Sequence, residues 1–226
     1  MKALNARQRR LAGLARAVRA AVVVPSLFAL ALLVIKQPEV AGFAVFGTFA
    51  HLVMVEYDPA GRARSAESAM LTLLGAIMVS LGTLASANVW LAVGGAIVVG
   101  FLTEFSPLTS GRIAVIRTAL LLSFMLGVAV PASARSVFPH LAGWLLAGIV
   151  AQPVLLLLWI PLQTVHVAGE GRSSHESIVN PVGLAGRLTW IGNAIGTGMA
   201  MGLAVLLTRL LKVDTHSGLF LACFRC

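Results

Sequence analysis

Residues 18–35 read VRAAVVVPSLFALALLVI. Arg19 is the one charge in the stretch, and it stands at the start. Eighteen helical residues rise about 27 Å, close to the roughly 30 Å thickness of a bilayer's hydrocarbon core. Pro25 lies inside the run, where a membrane helix accepts a kink. Lys2, Arg7, Arg9, Arg10, Arg16 and Arg19 crowd the side that precedes it. A basic start followed by an apolar run has the outline of a signal peptide. This run is too long, and no small-residue cleavage site follows at Ile35-Lys36-Gln37-Pro38. The stretch therefore reads as a retained membrane helix, and the fold class follows from it.

The rest of the chain has the same character. Of 226 residues, 58 % are hydrophobic and 11 % charged, against about 25 % charged in an average soluble domain. The charges cluster between long apolar runs. Six more runs follow, at about 40–56, 68–86, 89–103, 113–134, 138–162 and 188–211. The connections carry turn signals: Lys36-Gln37-Pro38-Glu39, the polar YDPAGRARSAE of 57–67, Asn88, and EFSPLTSGR of 104–112. An eighth run begins near Ser217 in HSGLFLACFRC, residues 216–226. The fold expected is all-α, a polytopic integral membrane helical bundle. It divides into a basic N-terminus (1–17), a six-helix membrane block (18–165), a polar linker (166–187) and the start of a second block (188–226).

The net charge of +9 fits orientation in a membrane better than nucleic acid, because no stacking aromatics are interleaved with the basic cluster. With the N-terminus in the cytoplasm, twelve Lys and Arg fall on the cytoplasmic side and five on the other. Cytoplasmic loops carry the Lys/Arg excess, so this orientation is favoured. No Walker A sequence is present, and no enzyme motif stands out. No cofactor is expected. Cys223 and Cys226 have metal-type spacing, but a zinc site needs about four ligands and only His216 is near.

An internal repeat emerges at an offset of 176 residues, where Lys36 falls on Lys212 and Gly42 on Gly218. Residues 22–36, VVVPSLFALALLVIK, overlay 198–212, GMAMGLAVLLTRLLK. Both copies end a Leu-rich helix in Lys, turn, and resume with Gly and an aromatic-containing run. Four short motifs then carry a family likeness: Arg19-Ala20-Ala21, Phe43-Ala44-Val45-Phe46-Gly47, Gly82-Thr83 and His216-Ser217-Gly218-Leu219-Phe220. In these the chain resembles the FUSC family, the fusaric acid resistance-like inner-membrane transporters. The resemblance implies two blocks of about six helices joined by a cytoplasmic segment. This chain would then hold one block, a short linker and the first helix and a half of the second, a truncation. Members often carry a large cytoplasmic domain between the blocks, for which 166–187 has no room.

The resemblance further implies export of small organic or aromatic acids across a bacterial inner membrane. The Arg-heavy usage, 14 Arg against 3 Lys, also suggests a bacterium. The proton gradient would supply the energy. Two other readings stay open: a passive anion channel, since plant malate channels look distantly similar, and a non-transporting scaffold or fragment. The expected partners are the lipid bilayer, a small organic anion and a second copy of the chain, with no nucleic acid.

Ionisable groups inside membrane helices are costly and tend to be functional. His51, in GTFAHLVMVE, either relays a proton or bonds a neighbouring helix. Glu56 and Asp58 follow it, as proton carriers or interfacial groups. Glu104 closes the fourth run and Arg117 lies about one turn into the fifth. They either pair across a cytoplasmic entrance, or Arg117 attracts a carboxylate or snorkels to the interface. Arg209 has the same alternatives. Gly192, Gly196, Gly198 and Gly202 form two Gly-x-x-x-Gly pairs in the seventh run, a spacing that lets helix backbones approach. Pro131 and Pro153 either free carbonyls for a site or mark kinks.

Overall fold

The structure is a computed structural model that describes residues 6–55, 57, 61–109, 111–130, 132–157 and 184–211. Seven helices and no strand occur among them, as the apolar runs require. They are α1 (Ala6–Leu30), α2 (Pro38–Phe49), α3 (Gly61–Ser86), α4 (Val89–Thr109), α5 (Gly111–Ala129), α6 (Val137–Leu157) and α7 (Leu184–Leu210). Short π-helical segments extend α1 (Ala31–Ile35) and α2 (Ala50–Met54). Four segments are long and apolar enough to cross a membrane: Gly13–Ile35, Gly61–Ser86, Ala134–Leu157 and Leu188–Leu210. Three shorter apolar helices, Pro38–Met54, Val89–Phe105 and Ile113–Ala129, pack with them among the described residues.

Local chemistry sets the boundaries. Lys36 ends the first helix with φ 58°, and its N–H donates to the Ala31 carbonyl at 3.0 Å. Pro38 then opens α2 at the first position, where its missing N–H costs nothing. Asn88 caps α4, its Oδ1 accepting from the backbone N–H of Trp90 at 2.8 Å. Pro153 sits inside α6, which continues to Leu157. Pro131 lies outside the described residues.

Several boundaries differ from the hydropathy reading: α1 already begins at Ala6, inside the segment read as a basic N-terminus, and α5 ends at Ala129 rather than 134. Helix α3 starts at Gly61 rather than 68, and α4 runs on to Thr109 rather than ending at 103. The turn YDPAGRARSAE therefore contributes helix from Gly61 onward. Arg64 and Glu67, read as loop residues, are buried in its first turns. Helix α7 begins at Leu184, inside the segment read as linker. Residues 166–183, the eighth run and both cysteines lie outside the described residues.

Packing relies on small residues. A Cβ on Gly127 would lie 2.6 Å from the Val79 carbonyl, so α5 presses its backbone onto α3. A Cβ on Gly100 would lie 3.0 Å from the Gly198 Cα, which brings α4 and α7 equally close. In lipid, such contacts and interhelical hydrogen bonds hold helices together. The other side of most helices is apolar and exposed: Leu33, Leu73, Leu102, Ile149, Leu157 and Met199 all face outward. Trp90 and Phe138 are exposed at the starts of α4 and α6, and the amphipathic indole of Trp90 suits a membrane interface. This is a membrane-embedded surface rather than a water-facing one.

Candidate functional site

Buried polar groups gather where α2, α3 and α6 meet. Each helix contributes a row spaced one turn apart. Helix α2 and its π-segment supply Glu39, Phe43, Gly47 and His51; α6 supplies His140, Trp144, Gly148 and Gln152. From α3 come Ser65, Ser68, Thr72 and, further along, Thr83. Residues four apart share a helix face, so three faces converge.

His51 is fully buried. It lies in the π-helical segment of α2, a distortion often found at functional sites. Its Nδ1 is 2.7 Å from the Gly47 carbonyl, and its Nε2 is 3.0 Å from Thr72 Oγ1. A carbonyl only accepts, so Nδ1 carries a proton in every state. Thr72 Oγ1 is also 2.9 Å from the Ser68 carbonyl. The hydroxyl has one proton and two acceptors within reach. With neutral His51, Thr72 donates to Nε2. With cationic His51, Nε2–H donates to Thr72, which turns its proton to Ser68. Both protonation states are bonded without moving a heavy atom.

Trp144 sits beside this pair. Its ring centroid is 5.8 Å from that of His51, and its Nε1–H donates to the Thr72 carbonyl at 3.2 Å. Glycines make room for it: a Cβ on Gly75 would strike the indole, and one on Gly47 would lie 3.3 Å from Cε3. Gln152 closes the row, with Nε2 donating to the Ser65 carbonyl at 3.2 Å.

Tyr57, between α2 and α3, is buried at the His51 end. Its Oη lies beside Ser68 Oγ, and among the described residues neither oxygen makes a well-formed hydrogen bond. Burial pushes the Tyr57 phenol above its ordinary range, and the Glu67 carboxylate pushes the same way, against the Ser68 hydroxyl. The folded state thus holds the phenol proton more tightly than the unfolded chain does. The stability this lends is whole below about pH 10 and is lost as pH climbs above it. Tyr57 is the only tyrosine, so absorbance near 295 nm reports it alone. Native protein is expected to show no phenolate at pH 10.5, whereas denatured protein is more than half ionised. Equal ionisation in both would contradict the burial.

The other candidates fall elsewhere. Arg117 Nη1 donates to Glu104 Oε2 at 3.2 Å, the pairing read from the sequence. The side chains are 40 % and 27 % exposed, so the pair is screened and loosely held. The Glu104 carbonyl also accepts from Trp190 Nε1 at 2.8 Å, tying α4 to α7. Arg209 donates to the Ser86 and Val128 carbonyls at 3.2 and 2.9 Å. It caps the C-terminal ends of α3 and α5, where a cation suits the helix dipole. Gly198 and Gly202 pack on Ile97, while Gly192 and Gly196 meet nothing within 4 Å. Glu56 and Asp58 lie outside the described residues.

The sequence reading missed His140, Thr72, Thr83 and Trp144. The one-turn spacing of His140, Trp144, Gly148 and Gln152 was the available signal. Compared with models of protein families, with curated proteins and with solved structures, the chain matches none.

Proposed function

We propose that the chain belongs to a proton-coupled membrane transporter that exports small organic or aromatic acids. The observation that carries the reading is His51: a buried histidine whose two protonation states are both fully bonded, in a helix bundle with a lipid-type surface. A residue meant only for packing needs one such state, and a proton carrier needs two. The substrate class rests on the likeness to the FUSC family in four short motifs. Arg117 is the proposed anion contact. An incoming carboxylate would replace Glu104, which holds the guanidinium through a single contact, and could engage it bidentately. The Lys/Arg count supports a cytoplasmic N-terminus, in a bacterial inner membrane.

The test is flux of a radiolabelled aromatic carboxylate from liposomes containing the full chain. An imposed pH gradient is expected to drive accumulation, and a protonophore to abolish it. Flux that survives the protonophore unchanged would favour the passive anion channel. No flux under either condition would favour a scaffold.

A further inference from the structure

A second buried histidine lies at the opposite end of the same helix interface. His140, in the first turn of α6, is fully buried. Its ring stacks on Phe43 at a centroid distance of 3.9 Å and an interplanar angle of 22°. Its Nδ1 is 2.9 Å from Thr83 Oγ1, and that hydroxyl is 2.9 Å from the Val79 carbonyl. When Thr83 donates to Val79, it accepts from Nδ1–H, and the bare nitrogen of the neutral ring is Nε2. This Nε2 has no hydrogen-bond partner among the described residues. It faces Glu39 Oε2 at 3.9 Å, and that carboxylate is 51 % exposed. In that tautomer a buried nitrogen lone pair lies 3.9 Å from a carboxylate that reaches outside.

We infer that His140 and Glu39 form a second proton-binding site, at the end of the bundle opposite His51. The site itself stands on this geometry, and its use in transport rests on the proton-coupled reading above. The step is simple: a proton from water forms an N–H bond at Nε2, and the ring becomes a cation. Glu39 then balances that charge, and closing about 1 Å of the 3.9 Å gap makes a charge-assisted hydrogen bond. The Phe43 face, already stacked on the ring, suits a cation as well. The groups facing His140 from the packed elements are Glu39 and Phe43 on α2 and Thr83 on α3; of these only Glu39 titrates. Lys36 and Arg135 belong to the same end of the bundle and are exposed. Their charge is screened by solvent.

The chemistry parallels that at His51. Each histidine leans on a threonine of α3, and each threonine hydroxyl also reaches a carbonyl one turn back. The ends differ in access. His51 has no exposed carboxylate in contact among the described residues, whereas His140 has Glu39. Glu39 is the collector that brings a proton from the surface to a buried ring.

The full chain in lipid nanodiscs, with nitrogen-15 histidine, tests this by magnetic resonance. Each histidine is titrated from pH 4 to 9, and the His140 signal is assigned by its loss in His140→Gln. Glu39→Gln, an exposed change that keeps the fold, is expected to weaken proton binding at His140 about three- to tenfold, below the full effect of an adjacent opposite charge because the carboxylate is half exposed and screened. Glu39→Asp, with the carboxylate withdrawn by one methylene, is expected to fall between. A His140 signal that ignores Glu39→Gln, or that never titrates, overturns the site. If His140→Gln does not fold, Thr83→Val identifies the signal through the lost Nδ1 contact. Flux measured alongside separates the two readings. Coupling to Glu39 without pH-driven flux leaves the site standing and removes the transporter. Flux without that coupling does the reverse.

Discussion

Glutamine at position 51 is expected to abolish the pH dependence of export. If one proton enters for each anion exported, a gradient of one pH unit is worth about 1.4 kcal/mol, or a tenfold accumulation. Glutamine presents a donor or acceptor near the place of Nε2, so the contact with Thr72 is kept and the bundle stays folded. It cannot bind a proton. The tenfold accumulation should collapse to equilibration, while exchange without a gradient continues. Thr72→Val, of nearly the same shape, removes the hydroxyl that serves both protonation states. It should reduce coupling and leave the fold intact apart from one lost hydrogen bond, about 1 kcal/mol. Gradient-driven accumulation that survives in His51→Gln rules out the proton role.

The second large effect concerns Trp144. It is 1 % exposed and is the largest side chain sealed inside the bundle. Trp144→Ala should cost about 3–5 kcal/mol through the cavity it leaves. Gly75→Ala should cost about 1–3 kcal/mol, because the new methyl strikes an indole that packing and the Thr72 carbonyl hold in place. The double variant is the sharper measurement. With the indole gone, the added methyl enters free space, and its cost should vanish. The cycle should therefore show a coupling of about 1–3 kcal/mol. Reversible unfolding in mixed detergent micelles measures all three proteins. Simple additivity would mean that the ring does not fill the space against Gly75.

Much of the helix order was legible because a bilayer demands continuous apolar length, and seven runs supplied it. The starts of α3 and α7 were less legible. Arg64 and Glu67 look like a polar loop by hydropathy, yet they are buried. A scale that scores residue types cannot tell a charge facing water from one facing protein. His51 was readable as a lone titratable group inside GTFAHLVMVE. His140 was not, since it sits beside Pro139 at the edge of its run and looks interfacial. Its partners come from residues 39, 43 and 83, and no local pattern announces such distant contacts. The charges of Glu104 and Arg117 were readable as a pair because a short turn joins their helices. Arg209 was harder, because its acceptors are backbone carbonyls, which every sequence has everywhere.

One arrangement has a mechanical consequence. Apart from the His51 bond to Gly47 within α2, the side-chain bonds of His51, His140, Trp144 and Gln152 described above run from α2 or α6 to α3. Helices α2 and α6 are themselves locked together, since a Cβ on Gly143 would press into the Val40 carbonyl and lie 2.9 Å from Phe43 Cβ. Together they present one face to α3, and Trp144 lies at a level between the two histidines. Under the proton-coupled reading, a tilt of that face about the indole would lengthen the threonine contact at one histidine as it shortened the other, so the two sites would work as opposed fastenings across a single pivot.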